Sequence, residues 1–351
     1  MRLPPRSKLT SLALLLAGLL HCQPSGAGVT AQELQRLERD LTPVGAERAG
    51  NASGTIPPWT GGLAQQAMDP AVGYLDPYAD DPILFTIDAA NAEQYSEQLS
   101  PGHRELFRQY PDSYRMHVYP TRRSANWPRE VQDEVRKQAP LAATEGYALL
   151  NVGRSAVPFP ITSDPLQMMW NHSLRWRGGS VKRVYNVFPV DARGRYFSVG
   201  ILDIMVFDQQ GYMEESRPNR LANFLGVYLA PANIEGQITL VWEPIDETAQ
   251  SRQTWKYETV SRRVVRVPSL AYDDLDQRTQ GLRTSDQYDG WNGSPSRYNW
   301  KLLGKREMFI PYNSYKLSSK ELKYADILQP GHMDPEVLRY ELHRVWAVEA
   351  T

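Results

Sequence analysis

Apolar residues recur at helical spacing over 164–175 and at alternate positions from residue 180 onward, with Gly178 and Gly179 between the two patterns. Leu166, Met169, Trp170 and Leu174 share one face of an amphipathic helix. Asp164 is placed to cap it, and Pro165 suits the first turn, where its missing N–H leaves nothing unsatisfied. The glycine pair stops the helix. Over 180–186, Val181, Arg183 and Tyr185 face one way and Lys182 and Val184 the other, which predicts a strand. Upstream the chain is Pro-rich and irregular; downstream it is mostly strand-like. The helix therefore reads as a plug against which a later sheet packs.

The same reasoning orders the rest of the chain. Thr30 caps a short helix over 30–41 with Leu34, Leu37 and Leu41 on one face. The segment 41–62 is full of turn formers and cannot be a regular helix. It reads as an ordered strap pinned by Ile56 and Trp59, with a flexible linker as the alternative. Residues 76–87 read as extended. Helices follow over 88–99 (capped by Asp88), 100–110 (capped by Ser100, with Leu106 and Phe107 inward) and 127–143. Tyr114, Met116 and Val118 alternate as a short strand. Further strands fall at 196–207, 236–244, 253–260 and 262–268, the last three as an antiparallel meander with Ile238, Leu240 and Trp242 on one face. Residues 218–229 read as a loop with a short helix or bent strand. The loop over 269–299 is long enough to be functional or to carry its own small helix. Strands resume at 300–311 and 337–351. The chain stops inside that last pattern, which predicts a truncated sheet with an unpaired edge near Arg339 to Thr351.

The 351 residues are 41% hydrophobic and 23% charged, an ordinary globular balance. The pattern divides them into a signal peptide at 1–27, a helical and strap region at 28–160, and a sheet with its plug helix at 161–351. Arg2, Arg6 and Lys8 precede an apolar run, Leu9 to Leu20, that is too short for an ordinary membrane span. Ser25-Gly26-Ala27 offers cleavage after Ala27; the rival is lipidation at Cys22, where Leu19 fits but His21 does not. Cys22 is the one cysteine, so cleavage after Ala27 excludes disulfides, thiol catalysis and cysteine metal sites. Cleavage also takes Lys+Arg from 39 to 36 against 40 Asp+Glu, a net charge of about −4, which attracts no nucleic acid.

The blocks LTPVGAERAGNASGTIPPWTGG, FPITSDPLQMMWNHSLRWRG, VVRVPSLAYDD, SPSRYNWKLLGKREMFIPYNSYKL and RYELHRVWAVEAT resemble the outer-membrane-lipoprotein-sorting-like family (domain of unknown function 1329) from about Leu41 to the end. The resemblance implies a periplasmic α+β protein of LolA/LolB-like fold: a strongly curved antiparallel sheet, an open half-barrel, holding a hydrophobic cavity with helices over its concave face. It also implies work beside an inner-membrane exporter and an outer-membrane partner.

Candidate chemistry is sparse. His172 has Trp176, not a second ligand, four residues on. His343 has only Glu341 nearby in its strand. Asp273, Asp274 and Asp276 lack the glycine and glutamate of a calcium loop and read as turn and solvation residues, with a surface calcium ion as the alternative. There is no nucleophile elbow, phosphate loop, HExxH or dinucleotide fingerprint. No catalytic residue, metal or cofactor is therefore assigned. The aromatic and methionine residues carry the stronger signal, because flexible Met and bulky aromatics around a sheet can hold acyl chains. The expected ligand contacts are Leu166, Met169, Trp170, Leu174, Trp242, Trp255 and Trp300. The expected function is a periplasmic carrier of a lipid or other hydrophobic molecule; the alternatives are an envelope-polymer hydrolase or lyase, and a ligand-free exporter assembly factor.

Overall fold

A computed structural model describes residues 28–64, 75–207, 219–267 and 272–351. The proposed signal segment with Cys22, and residues 208–218 and 268–271, lie outside the described residues. The chain combines helices with two large sheets, neither closed into a barrel. No described helix is long and apolar enough to cross a membrane.

The N-terminal part begins with two single-turn helices, α1 (Ala31–Leu34) and α2 (Arg36–Arg39), the first closed by a capping box between Thr30 and Glu33. Over 41–62 the chain runs against the body of the protein. Ile56 is buried, Trp59 Nε1 donates to the Ala125 carbonyl at 2.9 Å, and the Arg123 guanidinium donates to the carbonyls of Glu47 and Arg48. Then come β1 (Phe85–Ile87), α3 (Pro101–Gln109), β2 (Met116–Val118), α4 (Arg129–Gln138) and a small hairpin of β3 (Ala143–Glu145) and β4 (Ala148–Leu150). Ser100 caps α3 through its hydroxyl, as its position predicts.

Two N-terminal expectations need correction. Over 88–99 the structure has only a 3₁₀ turn, Ala92–Gln98, because the Asp88 carboxylate accepts from the backbone N–H groups of Ala90 and Asn91 and spends its capping capacity on an earlier turn. The helix expected over 127–143 stops at Gln138: Ala139 keeps helical dihedrals and donates to the Val135 carbonyl, but Pro140 after it has no N–H with which to continue the ladder.

The central helix α5 spans Pro165–Leu174, with the Asp164 carboxylate accepting from Gln167 N–H at 3.0 Å. It ends one turn before the glycine pair. Arg175 is extended, and its guanidinium reaches back to the His172 carbonyl at 2.6 Å, capping the helix end with charge. A six-stranded antiparallel meander follows: β5 (Ser180–Val187), β6 (Val199–Phe207), β7 (Ala222–Tyr228), β8 (Ile238–Glu243), β9 (Gln253–Glu258) and β10 (Arg263–Val267), ordered β10-β9-β8-β7-β6-β5. The stretch expected as a loop or bent strand is the regular strand β7, held by ladders to β6 and β8 that outweigh its weak alternation.

The two C-terminal strands do not extend this meander. β11 (Trp300–Pro311) pairs along its length with β12 (Tyr340–Ala350), after the single turn α6 (Tyr324–Ile327), and β12 meets β2 in parallel at Tyr340. The resulting four-stranded sheet, β1-β2-β12-β11, places strands from the N-terminal part and from the C-terminus in one layer. Its core gathers Ile87, Phe107, Tyr114, Met116, Phe309 and Tyr340. The cause is the match between the fully buried β2 and the inner positions of β11 and β12. A buried carboxylate, Glu341, adds a polar lock: it accepts from Arg339 Nε at 2.7 Å, His343 Nε2 at 2.9 Å and Arg122 N–H at 2.7 Å.

Candidate functional site

The registers of the six-stranded sheet align its residues into rungs. One rung reads Val181, Met205, Phe224, Val241, Thr254, Val267; the next on the same face reads Arg183, Asp203, Gly226, Thr239, Lys256, Val265. Against this face lies a cavity of about 540 Å³, within the usual range of small-molecule sites, roughly 300–1,000 Å³. Met205, Phe224, Val241 and Val267 form an apolar floor. The opposite wall comes from Trp170 and Ser173 of α5, from Arg177, and from Tyr272, Tyr288 and Trp291 of the long loop before β11. That loop is thus a cover for the sheet, and the helix supplies only part of it.

Charge at the edges of the cavity holds the cover down. Asp203 is fully buried (0% exposed) and accepts two hydrogen bonds from Arg183, both at 2.9 Å, and one from the Tyr288 hydroxyl at 3.0 Å. Burial alone would lower the Arg183 pKa, but the Asp203 carboxylate outweighs it and the net shift is upward. Burial raises the Tyr288 phenol, keeping it a donor. The guanidinium carbons of Arg183, Arg278 and Arg283 lie 5.2–5.8 Å from the Tyr288 ring centroid. Within the loop, Asp276 accepts from Arg278 Nε at 2.7 Å and Arg283 Nε at 2.9 Å, which lowers its carboxyl pKa despite burial. A second anchor joins the loop to the end of β8. Arg252 bonds both oxygens of Glu243 at 2.8 and 2.9 Å, and Tyr272 donates to Glu243 and Glu247 while its ring lies 3.8 Å beneath the Arg252 guanidinium. Behind α5, Arg175, Arg177 and Arg183 share Asp289 at 3.7, 3.2 and 3.7 Å. Burial first, and then the Arg175 charge, lowers Arg177 to about 10.

The seven residues expected to touch a ligand are scattered. Trp170 is in the wall. Leu166 and Leu174 pack beside it, with Leu149, Val152 and Phe159, in the core behind the wall. Met169 is half-buried on α5, outside the wall. Trp242 and Trp255 lie on the opposite face of the sheet, edge-on at 4.6 Å, with Arg220 and Arg266 stacked over their rings at 4.3 and 6.0 Å. Trp300 sits one layer back, edge-on to the wall residue Trp291 at 5.2 Å, with its Nε1 bonded to the Pro295 carbonyl. The sequence reading missed Met205, Phe224, Val241 and Lys256. The signal was the meander register: once β7 is a strand, Phe224 and Val241 fall opposite each other on the face away from Trp242.

The site's chemistry is that of an apolar slot with committed charges around it. Two of the acidic trio 273–276 are paired with arginines: Asp273 binds Arg297 and Asp276 binds Arg278 and Arg283. His172 places Nε2 3.1 Å from the Trp291 carbonyl and 3.3 Å from Arg175 Nη1, and burial and then Arg175 lower its pKa, which favours the neutral ring. Among the described residues no group of three His, Cys, Asp or Glu is arranged to hold a metal ion.

Comparison with known proteins gives a family. A family model described as a protein of unknown function (DUF1329) matches residues 86–351. The uncharacterized protein PA3922 of Pseudomonas aeruginosa is 42% identical over 332 residues, covering 93% of this chain and 72% of that protein. Among solved structures, a DUF1329 family protein from Desulfovibrio piger is 16% identical with a TM-score of 0.30, covering 41% of this chain and 57% of that one. A putative outer membrane lipoprotein-sorting protein domain from Vibrio parahaemolyticus is 12% identical with a TM-score of 0.29, covering 49% and 64%. This chain therefore spans less than two thirds of either solved protein, and both likenesses are weak. The family model, reaching from β1 to the last residue, and the Pseudomonas relative, matching nearly the whole length, agree: this chain belongs to the DUF1329 family.

Proposed function

We propose that this protein is a periplasmic carrier that holds a lipid or lipid-like molecule against its six-stranded sheet and hands it between membranes. In this reading the sheet curves as an open half-barrel, and α5 with the loop before β11 covers its concave face. Segment 1–27 directs export, and the carrier works beside an inner-membrane exporter and an outer-membrane partner.

The observation that supports it is the floor of the cavity. Met205, Phe224, Val241 and Val267 leave about 540 Å³ of space against an apolar surface, while the surrounding arginines and carboxylates are largely occupied by one another. A slot of this kind rewards burial of hydrocarbon: each methylene moved out of water contributes about 0.8 kcal/mol, so ten contribute about 8 kcal/mol before the losses of association. Trp170 belongs to this contact set; Leu166 and Leu174 shape it from behind. Met169, Trp242, Trp255 and Trp300 do not line the cavity, and of these Trp300 backs the wall residue Trp291.

Organic extraction of the purified protein followed by mass spectrometry tests the proposal. A hydrophobic molecule recovered at near one per chain is the expected result. Recovery of none, together with failure of the extracted and refolded protein to bind a fluorescent fatty-acid analogue, contradicts it.

A further inference from the structure

Four cationic side chains stand in the cavity wall: Arg177, Arg252, Lys256 and Arg278. Three are paired: Arg177 lies 3.2 Å from Asp289, Arg252 2.8 Å from Glu243 and Arg278 2.7 Å from Asp276. Lys256 is different. It is half-buried on β9, facing the cavity between Thr239 of β8 and Val265 of β10. Among the described residues no carboxylate, hydroxyl or carbonyl pairs with its ammonium.

The surroundings of Lys256 leave room for a partner. Thr239 beside it is short, and over Gly226, the next position along the same rung, lies the tip of the Phe224 ring, 3.0 Å from where a Cβ would stand, so the lysine borders an aromatic edge. The apolar rung runs parallel two residues further along each strand, about 7 Å away. From β9 to β6 it crosses three strand spacings, about 14 Å of Val241, Phe224 and Met205. This slot therefore offers an unpaired positive point charge beside a strip of hydrocarbon, while the Glu243 and Asp276 carboxylates that also line it stay with Arg252 and Arg278. Partial burial makes an ammonium without a counter-charge costly, and a compact ammonium with three donors suits a single anionic group.

Building on the carrier reading, we propose that the cavity takes an amphipathic acid, with Lys256 pairing to its anionic head, a carboxylate or a phosphate, and the tail lying over Val241, Phe224 and Met205. The selectivity follows from the charge alone. A neutral head of the same length gains the tail contacts but not the ion pair. The paired arginines do not substitute for Lys256, because drawing one of them to the ligand strands its own carboxylate.

Competition binding decides it. A fluorescent fatty-acid analogue is displaced from the full protein by hexadecanoic acid, hexadecyl phosphate and hexadecanol, in parent, Lys256→Gln and Lys256→Arg, with thermal unfolding as a check on folding. The parent is expected to prefer the anions over the alcohol by about tenfold, equal to about 1.4 kcal/mol. Lys256→Gln is expected to abolish that preference while alcohol binding stays unchanged, and Lys256→Arg to keep it. The tighter of the two anions identifies the head. Equal binding of acid, phosphate and alcohol by the parent overturns the headgroup assignment and leaves the carrier reading standing, as does an equal loss for all three in Lys256→Gln. Displacement by none of the three, with no probe bound, overturns both.

Discussion

The carboxylate of Asp203 joins the sheet to its cover, and Asp203→Ala measures that join. The substitution removes both hydrogen bonds from Arg183 and the one from Tyr288. Deleting one partner of a buried ion pair costs about 3–5 kcal/mol, because the remaining charge is left without compensation. Two features place this case at the low end, about 3 kcal/mol: the Arg183 side chain is 35% exposed, and Asp289 remains 3.7 Å from it. At about 2 °C per kcal/mol for a chain of this size, the unfolding midpoint falls by about 6 °C. The assay is thermal unfolding at neutral pH, paired with amide hydrogen exchange across 272–299. Tyr288→Phe removes only the cover's hydroxyl, so it costs about 1 kcal/mol and speeds exchange in the loop without changing β6. If Asp203→Ala unfolds within a degree of the parent, or the loop's exchange is the same in all three proteins, Asp203 does not anchor the cover.

Trp170 is 3% exposed and donates from Nε1 to the Tyr147 carbonyl at 3.1 Å, so Trp170→Ala costs about 3–5 kcal/mol by denaturant unfolding; a loss under 1 kcal/mol contradicts the packing. His103 and His172 are both held below their ordinary value of 6.5 by burial. The unfolded chain thus binds more protons between the lowered values and 6.5, so stability rises with pH through that window and falls on acidification from neutrality. Replacing both with Gln flattens the profile there; an unchanged slope in the double variant refutes the assignment. The Asp276 carboxyl sits below 3.8 because its hydrogen bonds from Arg278 and Arg283 outweigh burial. Its stabilisation is complete above that value and is lost as pH falls through the folded value. The gap in stability between parent and Asp276→Asn therefore narrows in acid, and a gap independent of pH contradicts the pairing.

Much of the fold was legible in the sequence because its contacts are local. The caps at Ser100 and Asp164 and the hairpins of the meander each depend on residues close in the chain. The second sheet depends on partners more than 200 residues apart: Tyr340 meets Val118, and no periodicity in either segment names the other. The cavity was obscured by a related ambiguity. Both faces of β8 carry apolar side chains, Ile238, Leu240 and Trp242 on one and Val241 on the other. Alternation separates the faces without saying which meets the cover. Larger aromatics drew attention to the Trp242 side, where Trp255, Arg220 and Arg266 complete a stack of their own. The long loop was recognisable by length, but its role rests on Tyr272 and Tyr288 finding Glu243 and Asp203 on the sheet.

The claim that this protein holds hydrocarbon between the sheet and its cover is tested most directly by photo-crosslinking. A fatty acid carrying a diazirine in its tail is bound, irradiated and located by peptide mass spectrometry. The account predicts saturable adducts on Met205, Phe224 and Val241, suppressed by excess unlabelled fatty acid. Adducts on Trp242 and Trp255 in their place, or labelling that excess ligand does not suppress, would contradict it.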